Sequence, residues 1–239
     1  MEMSGDTPGK DKKMEHQVTL RPIARIETDF KEKFGIPRQS GRVASAEGRI
    51  VFLPEFRSPD ALRGLEEFSH LWLLFDFSLA HREGFTPTVR PPRLGGNRHV
   101  GVFASRSPFR PNPIGLSSVR LLGVETTPEG PVLRVGGVDL LDGTPILDIK
   151  PYLPFSDCHP DATAGYAAEG EGHRLSVAFR EGATPPLDEG RLSALVGALA
   201  DDPRPSYQDD PTRVYHMRFA DIEVSFTVAG ENLTVIGYQ

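Results

Sequence analysis

A single cysteine, Cys158, stands among 239 residues. No disulfide can close within the chain, and no cysteine-based zinc site can be assembled. That usage fits a reducing compartment. No apolar run reaches the ~18–20 residues that a membrane span requires. The N-terminus also lacks the apolar core of a signal peptide. Together these absences predict a soluble, cytoplasmic protein with no membrane partner. Glycine signatures for nucleotides are missing too: there is no GxGxxG, no P-loop, and no strand–glycine loop–helix unit to carry one. The seven histidines (His16, His70, His81, His99, His159, His173, His216) include no pair at helical spacing, so no helix-borne metal site is expected. No nucleophile elbow is present, which argues against a hydrolase.

Acid is scarce in one stretch only. Net charge is −6, yet residues 82–120 hold seven arginines and a single acid, Glu83. Residues 157–239 reverse the balance, with six arginines and fourteen acids. A basic middle inside an acidic chain is the pattern of a local polyanion site.

The first sixteen residues are polar and charged without an apolar period, and are expected to form a flexible tail. A strand is predicted over 18–26, a loop over 30–41, and a hairpin over 43–53 broken at Gly48. Ser58-Pro59-Asp60 reads as a helix start, with Ala61, Leu62, Leu65 and Phe68 on one face. His70–Phe77 is an apolar run of β-formers that reads as a strand buried on both faces. Short strands follow over 100–104, 116–124, 132–140 and 146–149, separated by turn signals. That spacing predicts a mainly antiparallel barrel or sandwich rather than βαβ units. After a connector over 151–172, a smaller α+β pattern is predicted. It has a strand at 174–180, a helix with Leu192, Leu195, Val196 and Leu199 inward, and a meander from 214 to 236.

Two segments carry chemistry. In Arg106-Ser107-Pro108-Phe109-Arg110-Pro111-Asn112-Pro113-Ile114-Gly115, three prolines within six residues stiffen the backbone and remove three amide donors. Two arginines and an asparagine are thereby displayed on an extended strip that runs into a strand, a suitable holder for an anion or a polar ligand. Asp139-Leu140-Leu141-Asp142-Gly143-Thr144-Pro145 contains a tight-turn pair. Free backbone amides and carbonyls there could read a purine edge, and Asp148, Lys150 and Tyr152 follow just past the turn.

Those two segments, with Arg21–Ile26, Glu32-Lys33-Phe34-Gly35-Ile36-Pro37-Arg38-Gln39 and Val89–Asn97, resemble the TsaA/TrmO family of S-adenosylmethionine-dependent tRNA methyltransferases. The likeness covers residues 18–160, and Asp202-Pro203-Arg204-Pro205-Ser206-Tyr207 resembles that family's C-terminal domain. It implies a mainly β protein: an antiparallel β-barrel catalytic domain over 17–160 and a smaller α+β C-terminal domain over 161–239. It also implies a homodimer with the cofactor near the subunit interface, tRNA rather than DNA as partner, and no metal. The implied reaction is N6-methylation of threonylcarbamoyladenosine beside the anticodon of a threonine tRNA. By position, Gln39, Ser40, Gly41, Ser78, Leu79, Arg106, Ser118, Asp142, Gly143, Thr144 and Pro145 would line the S-adenosylmethionine pocket. The family often carries proline where Ser40 stands and histidine where Ser78 stands. Asn112 and Tyr152 are the candidates for orienting the base and relaying its proton. Lys33, Arg38, Arg90, Arg93 and Arg110 would hold the anticodon backbone, and Arg204 with Tyr207 would form a stiff Arg–Tyr display for an unpaired base. A non-catalytic RNA-binding module is the alternative from another class.

Overall fold

The computed structural model describes residues 18–91, 98–170, 172–205, 208 and 210–239. The expected tail therefore lies outside the described residues, as do Arg93 and Tyr207.

Six strands close into a barrel in the order β1 (Ala24–Thr28), β2 (Glu47–Phe52), β7 (Gly130–Gly136), β6 (Ile114–Thr127), β3 (His70–Asp76) and β8 (Pro145–Pro151). Every pairing is antiparallel, and β8 shuts the ring on β1 through Ala24↔Ile146. Alternation builds the interior. Ala24 and Ile26 point inward on β1, while Leu71, Leu73 and Phe75 do so on β3. β3 differs from the expected doubly buried strand, because its second face is only half-covered. Strand β6 is long enough to serve two neighbours. Its first half pairs β3, its second half pairs β7, and a register shift between Leu121 and Gly123 turns the corner. Outside the barrel, β4 (Thr88–Val89) and β5 (Val100–Gly101) form a short two-stranded arm.

Several local expectations need correction. Residues 43–53 do not form a hairpin; Gly48 lies inside β2, paired to Thr28 on one side and Val135 on the other. The expected helix from Ser58 is three short 3-10 turns, 54–56, 59–62 and 65–67, with Gly64 left-handed between the last two. Ser58 makes no side-chain cap, and no residue of these turns is buried, so nothing extends them into a helix. The expected 100–104 strand keeps only two paired residues before a 3-10 turn.

The C-terminal part is a four-stranded sheet in the order β10 (Tyr215–Phe219), β11 (Ile222–Ala229), β12 (Asn232–Tyr238) and β9 (Ser176–Phe179). The meander is present, and β9 adds to it in parallel. A one-turn helix α1 (Pro154–Asp157) follows the barrel, and α2 (Glu189–Ala200) packs on the sheet. Asp188 caps α2 by accepting the Arg191 N–H at 2.8 Å. Its buried seam is Ala194, Leu195, Ala198 and Leu199, one residue round from the expected leucine stripe.

The barrel and the sheet share one continuous core. The loop after β1 joins them. Phe30 meets Phe219 edge-on at 5.6 Å between centroids, and Phe34 stacks on Phe226 at 6.4 Å. Gly35 lies directly against the Met217 side chain. The Asp29 carbonyl accepts the Ala220 N–H at 2.7 Å, and Glu32 accepts the Arg218 N–H at 2.8 Å.

Candidate active site

The loop running from 29 to 42 has two working sides. One side packs on the C-terminal sheet. The other touches most of the predicted cofactor residues. Lys31 pairs with the Asp142 carboxylate at 3.0 Å, and Lys33 Nζ donates to the Leu79 carbonyl at 3.4 Å. The Gln39 side-chain oxygen accepts from the Arg106 guanidinium. Gly41 N–H bonds the Gly137 carbonyl at 2.8 Å. The backbone of Ser40 faces Asp139. Gln39, Ser40 and Gly41 thus lie on a single loop that Leu79, Arg106 and Asp142 border.

Asp139 lies at the centre of this arrangement and sequence reasoning passed over it. Its Oδ1 is fully buried and has no hydrogen-bond partner. Burial pushes its carboxyl from 3.8 up to about 6, against the opposing pull of the Ser117 hydroxyl, the Asp139 and Ser40 amides and the Arg106 charge. Ser117, at 3 % exposure, is itself inward-facing on β6. The signal in the sequence was a carboxylate placed directly after Gly136-Gly137-Val138, inside a motif already singled out.

The Asp142–Gly143 turn corrects one expectation. Its amides are not free to read a purine. Asp142 N–H donates to the Phe30 carbonyl, Gly143 N–H to Ile26, and Thr144 N–H to Leu141. The Asp142 carboxylate accepts the Thr28 N–H at 2.9 Å as well as the lysine. The Thr144 hydroxyl is turned back on the Leu141 carbonyl, and Pro145 opens β8 within the core. This turn is therefore fastened to β1, and what it offers outward is its shape.

The remaining predicted residues divide. Ser118 faces outward on β6 opposite Trp72, on the other surface of the barrel wall from Ser117. Ser78 precedes Leu79 just past β3. Asn112 is exposed beside the Arg106 strip, where the neighbouring Pro113 carbonyl accepts the Phe77 N–H past the end of β3. Tyr152 lies at the opposite end of that strand, its N–H bonded to the His70 carbonyl. Six residue steps at ~3.3 Å separate the two ends, roughly 20 Å. Asn112 and Tyr152 of one chain therefore do not meet at one reacting atom. Burial, with Cys158 and Asp157 alongside, also pushes the Tyr152 phenol up.

The arginines expected on RNA also divide. Arg38 is half-buried and donates to the Asp202 and Arg204 carbonyls at 3.1 and 2.8 Å. Arg204 is 8 % exposed, and its guanidinium bonds both Asp202 oxygens at 2.9 and 3.0 Å. The Asp202 hydrogen bond raises Arg204 further and the pair is locked. Arg204 is thus turned inward rather than displayed: its guanidinium is held within the C-terminal part by Asp202 and the Gln208 carbonyl, and only its own carbonyl meets the barrel loop, accepting from Arg38. By contrast, Arg82, Arg90, Arg106 and Arg110 meet neutral groups: the Phe109 ring at 4.7 Å, His99 at 2.9 Å, Gln39, and the Ser105 carbonyl at 3.1 Å. Among the described residues none of these four makes a salt bridge, and the exposed Phe85, Phe103 and Phe109 belong to the same stretch of chain. Arg49 and Arg134 on the barrel are instead paired to acids, Glu27 and Glu47.

The hydrolytic reading loses support from the geometry. His81 hydrogen-bonds Asp76 at 2.6 Å, but among the described residues no hydroxyl or thiol bonds that ring, as a hydrolytic nucleophile would. No group of three metal-ligating side chains occurs among the described residues. Two clefts lie at the far end of the barrel, around Arg57, Thr127, Pro128, Gly130 and Pro131, and none of the predicted site residues line these two.

Comparison with known proteins decides the family. The model of the tRNA-methyltransferase O N-terminal domain matches residues 25–158, and that of the TrmO C-terminal domain matches 173–239. The chain belongs to the tRNA-methyltransferase O family. It is 43% identical over 225 residues to the tRNA (adenine(37)-N6)-methyltransferase of Escherichia coli K12, covering 91% of this chain and 96% of that one. A Pyrococcus abyssi relative, named a probable S-adenosyl-L-methionine-binding protein, is 42% identical over 165 residues, 69% of this chain and 84% of its own. A crystal structure of TrmO from P. aeruginosa superposes with a TM-score of 0.78 at 36% identity, covering 95% of this chain and 99% of that one. Like its TrmO relatives, this chain is a methyltransferase that uses S-adenosylmethionine.

The residues present fit that cofactor. It is a polar cation, and the loop cluster offers an orphaned buried carboxylate oxygen at Asp139 beside the Gln39–Arg106 pair. Among the described residues the barrel strands carry no glycine loop leading into a helix, the usual cradle of a nucleotide.

Proposed function

We propose that this protein methylates N6 of adenosine 37 in tRNA, that the adenosine carries a threonylcarbamoyl group, and that the tRNA is a threonine acceptor. The observation that carries the reading is the arginine group Arg82, Arg90, Arg106 and Arg110, which makes no salt bridge among the described residues and of which Arg106 reaches the Gln39–Ser40–Asp139 cluster. Cations without acid partners suit a phosphate backbone, and a threonyl carboxylate would suit the same guanidinium groups. The reading places the protein in the cytoplasm, where tRNA is processed, and excludes DNA as substrate.

Bound S-adenosylmethionine supplies an electrophilic methyl group on a sulfonium. The chain's own work is alignment and the exclusion of water. Gln39, Ser40, Gly41, Ser78, Leu79, Arg106 and the Asp142–Pro145 turn would hold the cofactor. Asn112, exposed beside Arg106, would orient the base. A threonylcarbamoyl-substituted N6 is more acidic than a plain amine, so a strong base is unnecessary.

The same surface supports a homodimer. Leu79, Phe85, Phe103, Phe109, Ile114 and Leu116 are all between 38 and 74 % exposed and come from one stretch of chain. So much apolar surface around a site that one chain leaves open suits a second copy. Leu116→Glu should shift the sedimenting species from dimer to monomer and weaken cofactor binding. An unshifted sedimentation profile would locate the interface elsewhere.

Two measurements test the function. Nucleoside mass spectrometry after incubation with enzyme and methyl donor should show one added methyl on threonylcarbamoyladenosine in threonine tRNA. Equal methylation of tRNA lacking the threonylcarbamoyl group would overturn the substrate assignment. Arg90→Ala and Arg110→Ala should each flatten the log–log salt dependence of tRNA binding by about 0.7–0.9 per lost phosphate contact. Slopes equal to wild type would assign these arginines another task.

Gly143→Val probes the cofactor turn. Gly143 has φ +76°, and an added Cβ meets nothing within 4 Å, so the penalty is purely backbone strain, about 1–2 kcal/mol for a left-handed L-residue. The turn would reorganise, releasing the 2.8 Å bond to Ile26 and the 3.1 Å bond from Arg25. Calorimetry should show S-adenosylmethionine affinity lost in a soluble, folded variant; retained affinity would remove the turn from the site.

A further inference from the structure

We infer that Asp139 is a specificity residue that selects the sulfonium form of the cofactor over its demethylated thioether product. The inference rests on the placement of the cofactor beside Gln39, Ser40 and Arg106, and adds a task that placement alone does not supply.

The fold holds this carboxylate at a disadvantage. Its Oδ1 is buried and bonds nothing. The nearest guanidinium, Arg106, acts on it only through its charge, since its hydrogen bond goes to Gln39. The loop that carries Ser40 brings no closer cation, because Arg38 and Arg42 on the same loop turn away to Asp201, Asp202 and Arg204. From β6 it meets only the neutral Ser117. Asp139 as a whole is only partly covered, but an acid with one oxygen buried and unbonded is destabilising, and such groups cluster at functional sites. It is placed among the cofactor residues, and the missing partner is a positive charge.

The methyl donor and its product differ in one respect that a carboxylate reads at a distance. Both carry the same adenosine, α-ammonium and α-carboxylate. Only the donor carries the sulfonium charge. An ionised Asp139 in a low-dielectric site attracts that charge and is indifferent to the thioether. It therefore favours loading of fresh cofactor and release of the spent one. It acts through its charge and need not touch the reacting atoms. Because burial raises the carboxyl to about 6, the preference should fade as pH falls through that value.

The experiment is calorimetric titration of the full-length protein with S-adenosylmethionine and, separately, S-adenosylhomocysteine, at pH 5 and pH 8. In the wild type the ratio of the two dissociation constants should move about tenfold toward the donor between those pH values. Asp139→Asn should abolish that movement, weaken the donor alone, and leave the thioether unchanged. Ser117→Ala removes a hydrogen bond that lowers the carboxyl's pKa, and should move the midpoint of the preference to higher pH. Equal weakening of both ligands by Asp139→Asn would mean a purely structural role and overturns the inference. So would a wild-type ratio that does not change with pH. If Arg106→Ala abolishes donor binding while Asp139→Asn keeps the wild-type ratio, the cofactor site stands and only this inference falls. If Arg106→Ala and Gly143→Val both bind the donor normally, it is the placement of the site that fails.

Discussion

Gly35→Val should unfold this protein at markedly lower urea concentration than wild type and abolish cofactor binding at the same time. Gly35 has φ +91°, and a Cβ built there runs into Met217, with its Cγ at 2.7 Å and its sulfur closer still. Met217 has no exposed surface and cannot swing into solvent. Two penalties follow: about 1–2 kcal/mol for a left-handed L-residue, and about 1–3 kcal/mol for overpacking a filled core. A β-branched side chain sits at the upper end of both. The consequence for function comes from the loop. Residues four and five positions on, Gln39 and Ser40, are the ones that meet Arg106 and Asp139. Gly35→Ala separates the terms, since it keeps the backbone strain with the smallest clash. Pairing it with Met217→Ala should return part of the lost stability, a coupling that independent sites would not show. A Gly35→Val protein as stable as wild type would mean that the loop does not bear on the sheet.

The C-terminal domain bears on the barrel's loop. It forms the wall against which residues 29–42 are pressed, through Phe30 on Phe219, Phe34 on Phe226, and Arg42 on the buried Asp201. Removing everything after 172 would expose those aromatic faces, each a loss of about 1.5–3 kcal/mol of burial. Arg204 belongs to the same wall. The two prolines around it were legible as stiffness, and stiffness was read as display. The structure uses it to present a guanidinium inward to Asp202.

What the sequence could reveal follows from the range of each interaction. Strand alternation is local, so β1, β3, β6, β7 and β8 were legible from their residues, with ends displaced by a few positions. The barrel's closure was not, because Ala24↔Ile146 joins segments that carry no mark of each other. The turns at 54–67 were misread because Ser58-Pro59 marks the start of any helical turn, and only tertiary burial decides whether it continues. At the site, the motif-bearing residues were legible as residue types: Arg106, Gln39, Asp142, Gly143. Their bonding was not. The Asp142–Gly143 amides look free in sequence and are spent on Phe30 and Ile26, which lie more than a hundred positions away. Asn112 and Tyr152 look like partners and stand at opposite ends of one strand. Asp139 was invisible for the converse reason: a carboxylate becomes unusual only when burial removes its water.

That burial has a thermodynamic signature. An acid whose folded pKa of about 6 lies above its ordinary 3.8 binds more protons folded than unfolded between those values. Stability contributed by this group therefore falls as pH rises from about 4 to about 6 and stays lost above it. The full span amounts to about 3 kcal/mol at 1.36 kcal/mol per pKa unit. Asp139→Asn does not titrate. Relative to wild type, the variant should gain about that much stability between pH 4 and pH 8, whatever fixed offset the new amide introduces. Urea unfolding of both proteins at several pH values measures the difference directly. A gap between the two that stays constant from pH 4 to pH 8 would show Asp139 to be ordinarily ionised in the fold. A gap that widens as expected, together with loss of the sulfonium preference, would place the destabilising charge and the ligand selection on one carboxylate. The fold would then be keeping an unfavourable group because the cation that neutralises it arrives only with the cofactor.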